Sequence, residues 1–373
     1  MHMTAWDGQS IAIYGACFCT SLLFMGMAQT FDIRVGKRSQ PFILFFLVAL
    51  AIPVLLAGLR WQVGTDFGNY QSLYKLINSF TTLEEFSNQS GRTEWGYMLL
   101  NVLAFRVFQS EQMVFFLSSL LIYGLFFLGF WKEHETGSIM LSLYIFYMCF
   151  FPQSMNIIRQ YLAMGVLFLA QRYIWQRKPV RFCIGVVLAS LFHNTALLFL
   201  PFYFAYGETR ERKWIRWGIL MGLLVLLGAF SVGSSVTGSL MSLLGEENLE
   251  ITSGAMGMGI FLKRIPLLAV IAWRYRAMVQ RDQRCKLWVF FYVVSILLYQ
   301  FGYFYIVFNR VALFFETSLL YLLPHSIRSI PGRGERLMTG IALVLYLGIW
   351  GIQSMVMDNL GGCMPYQWII GDM

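Results

Sequence analysis

Apolar runs long enough to cross about 30 Å of hydrocarbon recur along this whole chain, and a soluble core of this length would not need them. Plain runs lie at roughly 10–31, 41–59, 112–131, 214–233, 286–306 and 337–356, with shorter or interrupted ones at 138–152, 154–175, 259–275 and 310–327. Composition agrees. Of 373 residues, 58% are hydrophobic and 13% charged, where soluble proteins carry about 25% charged residues. The expected fold class is all-α, a polytopic membrane protein. No polar stretch is long enough for a separate soluble domain, so residues 1–373 read as a single integral membrane domain. The start of the chain has neither a basic region nor a clear cleavage site, and its first apolar run reads as a retained span.

Two regions are ambiguous. Segment 95–109 is short and carries Arg106; segment 178–206 is one long helix or two short ones meeting near His193 and Asn194. Loop charge arbitrates. The basic loops are 32–40, 172–181, 207–217, 274–286 and 326–336. All fall on the cytoplasmic side, as the positive-inside rule asks, only if 95–109 is an interfacial helix and 178–206 a two-helix hairpin. That arrangement gives about 12 transmembrane helices plus an interfacial helix, with both termini periplasmic. It leaves Arg60, Lys75, Arg92, Arg106, Arg159, Lys263, Arg264 and Arg310 outside or in the outer membrane half. The extracytoplasmic loops are 60–111, which holds the interfacial helix, and 234–258, which carries Glu246, Glu247 and Glu250 but no Lys or Arg. The net charge of +9 therefore reflects orientation, not a nucleic-acid-binding face.

Basic residues within spans are costly in lipid and usually face a cavity or a partner. Arg60 ends the second run, Arg159 follows Asn156 and precedes Gln160, Arg264 precedes Pro266, and Arg310 follows Asn309. Guanidinium groups gathered near the outer face suit a pyrophosphate, whose oxygens Arg binds as a fork. The competing reading is that each one snorkels to headgroups or pairs with a carboxylate. Gly64-Thr65-Asp66 begins four residues after Arg60; Asp66 either organises a tight turn or serves as a general base on a sugar hydroxyl. Glu94 beside Trp95 and Tyr97 is either a helix cap or a sugar-binding trio. His193 stands at the proposed hairpin tip, as a proton-transfer group or as a histidine bonded to a carbonyl where the helix breaks.

The sequence has no Walker A motif, no dinucleotide fingerprint and no HExxH. Four scattered His and six Cys form no close set, so neither a metal site nor a cofactor is expected. The Asp-x-Asp pair expected of nucleotide-sugar transfer is also missing.

At these residues the chain resembles the EpsG-type family of exopolysaccharide polymerases, Wzy-like proteins of bacterial inner membranes. The resemblance rests on Arg60 and Gly64-Thr65-Asp66 through Tyr70, and on Glu94 to Tyr97. It continues through Asn156, Arg159, Gln160 and Ala163, Phe192-His193 with Pro201, Asn309-Arg310 and Pro365-Tyr366. Phe67 stands where Tyr is the more usual residue. The order and spacing span nearly the whole chain, although each piece is short.

The resemblance implies a bacterial inner-membrane enzyme that joins undecaprenyl-pyrophosphate-linked oligosaccharide repeat units at the periplasmic face. The acceptor's sugar hydroxyl attacks the donor's anomeric carbon, and undecaprenyl pyrophosphate leaves. Its partners are then lipid-linked glycans and membrane lipid, with flippase and chain-length regulator proteins as further candidates. On that reading Arg60, Arg159, Arg264 and Arg310 bind pyrophosphate, and one of Asp66, Glu94 and His193 takes the hydroxyl proton. Tyr70, Trp95, Tyr97, Asn156, Gln160 and Asn309 are expected to line the sugar-binding cavity. The rival readings are a lipid-linked glycan transporter or flippase, a membrane O-acyltransferase and an O-antigen ligase.

Overall fold

A computed structural model of the chain describes residues 8–35, 40–80, 85, 88, 93–133, 138–207, 209–232, 256–302 and 306–369. The loop 234–258, Arg92 and the basic residues Lys37 and Arg38 fall wholly or largely outside these. Among the described residues the secondary structure is helical, and the one extended pairing is a single antiparallel bridge between Arg60 and Trp368. Four segments are long and apolar enough to cross a membrane: Gly8–Phe31, Gln112–Lys132, Val307–Arg328 and Arg333–Met357. Shorter apolar helices such as Phe42–Gly58, Ile139–Cys149 and Cys285–Phe301 accompany them. The chain groups into two compact units: 1–172, 180–198 and 339–373 in the first, 173–179 and 199–338 in the second.

In the first unit, helix Gly8–Val35 packs on Gln40–Gly58, which packs on Gln112–Lys132. Pro53 lies inside the second of these. A proline has no N–H to offer the carbonyl four residues back, so Ala49 O is orphaned in an apolar setting. Ser21 on the neighbouring helix donates its hydroxyl to that carbonyl at 2.7 Å, and Tyr147 Oη stands 2.6 Å from Ser21 Oγ. Around this polar link the core is aromatic. Phe18 stacks on Tyr147 with centroids 4.4 Å apart and meets Phe151 edge-on at 4.9 Å.

Several boundaries differ from the sequence-based expectation. The boundary between the expected runs 138–152 and 154–175 lies within a short helix, Phe151–Asn156, because Pro152 occupies its first turn, where no N–H is needed. The chain breaks instead at Ile157, with φ −86° and ψ 58°, and resumes as Ile158–Ala170. Arg159, expected a turn inside a span, therefore sits in the first turn of a new helix. The run 178–206 does break where expected, as helix Pro179–Ser190 followed by a 3₁₀ helix, Asn194–Ala205. Segment 95–109 is helix Trp95–Leu103 extended by a π-helical turn, Ala104–Phe108, and stopped by Gln109 at φ 51°.

In the second unit, Lys263 and Arg264 were expected inside a span but occupy a turn between helices Met256–Leu262 and Ile265–Arg281. Pro266 again starts the following helix. The run 310–327 begins earlier, at Ile306, and is interrupted at Thr317 and Ser318. Trp288 is fully buried and stacks on Tyr321 at 4.7 Å.

Candidate active site: a carboxylate between Arg159 and His193

The break at Ile157 frees backbone groups that a continuous helix would pair. Met155 O and the Arg159 N–H are one such pair, since helical bonds run from residue i to i−4. Arg60 Nη2 donates to Met155 O at 2.6 Å. The carbonyl half of the lost bond thus finds a side chain.

This assigns Arg60 a task other than the expected one. Its side chain is 1% exposed. Nε donates to Val63 O at 3.1 Å and Nη1 to Ala57 O at 2.5 Å, and the guanidinium lies 5.0 Å from the Phe115 ring centre. Every nitrogen of the group is committed to a backbone carbonyl, so Arg60 holds the turn and the break rather than presenting itself to an anion. Asp66 is half-buried ahead of helix Phe67–Ser79, makes no side-chain cap to that helix, and has Asn69 Nδ2 at 3.5 Å.

Asn156, expected to face a sugar, is 7% exposed and is spent on the backbone. Its Nδ2 donates to Gly361 O at 2.7 Å, and its Oδ1 accepts from the Asp66 amide at 3.4 Å. Gln160 is buried and Tyr97 fully so, its ring 5.5 Å from that of Tyr70. Trp95 is 43% exposed.

Glu94 is where the predicted residues converge. Arg159 Nη1 donates to Glu94 Oε2 at 2.6 Å. His193 Nδ1 lies 3.1 Å from Glu94 Oε1, and the Asn194 amide donates to that same oxygen at 3.3 Å. A carboxylate only accepts, so Nδ1 carries the hydrogen and the imidazole lone pair is on Nε2. Burial alone would raise the Glu94 pKa. The His193 hydrogen bond and the Arg159 charge outweigh it and hold the carboxyl below its ordinary range. Arg159 and His193 keep side-chain exposures of 32% and 22%, whereas Glu94 keeps 9%. The exposed partners thus flank a sealed carboxylate.

Local sequence explains the docking. The Gly96 amide donates to Leu191 O at 2.7 Å, and a Cβ on Gly96 would lie 2.7 Å from that oxygen. Only glycine allows the start of helix Trp95–Leu103 so close to the end of Pro179–Ser190. Glu94 and His193 each lie two residues from this joint. The sequence reading singled out Glu94 but not Gly96 as a docking point; the glycine following the Glu-Trp pair was the available signal. It also missed Gly361 and Gly362, whose carbonyls accept from the Thr65 and Gly64 amides at 3.0 Å.

The other expected site residues belong to the second unit. Arg264 is buried and neutralised: Nε and Nη2 meet Glu316 Oε1 at 2.8 and 2.7 Å, and the guanidinium lies 3.7 Å from the Tyr299 ring centre. Tyr299 also donates its hydroxyl to Glu316 Oε2. That is the pairing alternative, not a phosphate fork. Asn309 is half-buried against Gly302, and Arg310 is exposed on helix Ile306–Glu316. The structure also makes a Cys/His grouping that spacing did not reveal. One ligand atom each from Asp282, Cys285 and His325 lies within 4.8 Å of the others. Arg284 meets both Asp282 oxygens at 2.9 Å through Nε, with Nη2 2.7 Å from Oδ2, and His325 Nε2 is 3.5 Å away. Burial opposes ionisation of Asp282, but His325 and Arg284 beside it outweigh it and hold the carboxyl far below its ordinary range.

Compared with curated proteins and with solved structures, the chain finds no match in either set. Compared with protein families, residues 43–368 match the one described as the EpsG family. That stretch contains Arg60, Glu94, Arg159 and His193, and covers most of both units; the chain belongs to the EpsG family.

Proposed function

We propose that this protein polymerises polysaccharide at the outer face of a bacterial inner membrane. On this reading it transfers a growing glycan from undecaprenyl pyrophosphate to the sugar hydroxyl of another lipid-linked repeat unit. The family suggests a polysaccharide-polymerase type of function. The observation that carries the chemistry is the single carboxylate of Glu94 holding both Arg159 and His193.

The roles follow from that geometry. The acceptor hydroxyl gives its proton to His193 Nε2 as its oxygen bonds to the donor's anomeric carbon. The bond from that carbon to the pyrophosphate oxygen breaks, and undecaprenyl pyrophosphate departs with the electron pair. Arg159 stabilises the negative charge that develops on it. Glu94, already ionised and doubly bonded, is a poor base; it keeps the imidazole in the useful tautomer and stabilises the imidazolium that forms. Arg60 supports the frame, and Arg264 is satisfied by Glu316, so of the four expected arginines Arg159 is assigned the leaving group. Arg310 is retained as a second candidate ligand. Asp66 is retained as an acceptor-binding group, with Trp95 as the exposed aromatic face for a sugar ring.

About 12 spans with both termini periplasmic is the topology that places Glu94, Arg159 and His193 at the outer surface. Flippase and chain-length regulator proteins are the partners this pathway position calls for. Purified protein supplied with lipid-linked repeat units tests the reading. Longer lipid-linked chains are expected, lost on Arg159→Ala or His193→Ala. Transfer to a different acceptor would identify a ligase, and membrane passage without product a transporter. Full-length polymer from Arg159→Ala would remove the leaving-group role.

A further inference from the structure

We infer that the C-terminal tail, residues 359–369, is a positioning strap that fixes the helix break presenting Arg159 to Glu94, and that it acts through the Asn156 side chain. The inference rests on the role proposed for Arg159, but its test does not need a substrate.

The tail is sewn to the turn 59–65 by backbone bonds. Trp61 N donates to Gln367 O at 2.9 Å, Gly64 N to Gly362 O at 3.0 Å, Thr65 N to Gly361 O at 3.0 Å, and Ile369 N to Leu59 O at 3.1 Å. Side chains from helix Gly8–Val35 pin it further. The Tyr14 hydroxyl donates to Cys363 O at 3.0 Å, and Ser10 Oγ accepts from the Tyr366 amide at 2.7 Å. Tyr366 returns its own hydroxyl to Leu56 O at 2.7 Å. This last contact gives physical content to Pro365-Tyr366, a motif that the chemistry of the site leaves unused.

Asn156 joins this layer to the reacting groups. It is the last residue before the break at Ile157, and Arg159 follows three residues later. Its amide spans the gap between the tail and the turn, bonding Gly361 O and the Asp66 amide. Both surfaces are shaped to receive it. A Cβ on Gly361 would fall 2.2 Å from Asn156 Nδ2, and one on Gly64 would fall 2.7 Å from Asn156 Oδ1. Both glycines have left-handed backbones, at φ +78° and +104°. An amide side chain with one donor and one acceptor aimed at backbone groups cannot rotate without losing both bonds. The residues it holds are therefore fixed in direction as well as in place.

The test uses the full-length protein in nanodiscs and an arginine-selective dicarbonyl, phenylglyoxal, with labelling rates read residue by residue by mass spectrometry. Arg159 is paired with Glu94 through Nη1, so Glu94→Ala, which removes the accepting oxygen, supplies the reference rate for a released guanidinium. Gly361→Ala and Asn156→Ala are each expected to raise Arg159 labelling several-fold toward that reference. Buried Arg264, in the other unit, is expected to keep its wild-type rate, which reports that the fold persists. The double variant Gly361→Ala/Asn156→Ala is expected to match Asn156→Ala alone, because the side chain that transmits the displacement is gone. Wild-type Arg159 labelling in both single variants overturns the inference. So does a rise that appears only together with Arg264, or additive effects in the double variant. Failure of the wild-type protein to lengthen lipid-linked glycans would instead overturn the functional reading and leave this readout intact.

Discussion

Gly96→Ala is the sharpest perturbation of the site, because it touches none of the proposed reacting groups. The added Cβ would lie 2.7 Å from Leu191 O, 3.1 Å from Leu191 C and 3.2 Å from Leu191 Cβ. Two of these contacts are backbone, so no side chain can rotate away, and one segment must move by roughly half an ångström or more to reach ordinary contact. The Glu94–His193 bond of 3.1 Å lies directly across that joint, and the same shift takes it to the edge of hydrogen-bonding distance. Overpacking of this kind costs about 1–3 kcal/mol of stability. A misplacement near 1 Å lowers a rate by up to about 100-fold, so a loss of roughly 10-fold or more in polymer formation is expected. Gly124→Ala is the matched control, since a Cβ there meets nothing within 4 Å and lies within helix Gln112–Lys132. It is expected to be neutral or stabilising by up to about 1 kcal/mol. The assay pairs thermal melting in detergent with chain-length analysis of product from lipid-linked repeat units. Wild-type melting and chain length in Gly96→Ala would refute the claim that this contact sets the Glu94–His193 distance.

Three further outcomes follow from the same geometry. Glu94 is held below its ordinary pKa of 4.5, so its contribution to stability is complete above that value and is lost as pH falls through the lower folded-state pKa; the melting difference between wild type and Glu94→Gln should be constant above about pH 5 and vanish in acid. Arg60→Lys should destabilise by roughly 1–3 kcal/mol for each buried carbonyl left without a donor; a folded variant with unchanged melting would show that the three carbonyls do not need the guanidinium. Ser21→Ala leaves Ala49 O without the donor that Pro53 denies it and should cost about 1–3 kcal/mol by chemical denaturation, while Ser21→Thr, which restores a hydroxyl, should recover part of that loss.

Much of the helical frame was legible in the sequence. Apolar run length identified membrane-type helices, and Gly8–Val35, Gln40–Gly58 and Gln112–Lys132 lie close to the expected runs. The break at His193 was readable because an ionisable residue and an asparagine interrupt an apolar segment. The break at Ile157 was not, since Asn-Ile-Ile-Arg has no proline or glycine to signal it. Pro152, at the boundary between the expected runs 138–152 and 154–175, sits in the first turn of a helix, where a proline looks, in sequence, the same as one that ends a helix.

The sequence by itself determined a helical chain with apolar helices of membrane-crossing length, and put Glu94, Arg159 and His193 among a short set of candidates. Only the tertiary structure decided how Arg60, Arg159 and Arg264, three of the four expected arginines, are partnered. Arg60 and Arg159 are the same side chain in similar apolar company, and what separates them is what lies across space. Arg60 meets three backbone carbonyls freed or exposed by turns and a helix break, and is consumed by them. Arg159 meets one carboxylate, which it shares with a histidine 34 residues further along the chain, and keeps a third of its surface open. Partnership of this kind depends on tertiary position, and no local pattern of residues encodes it.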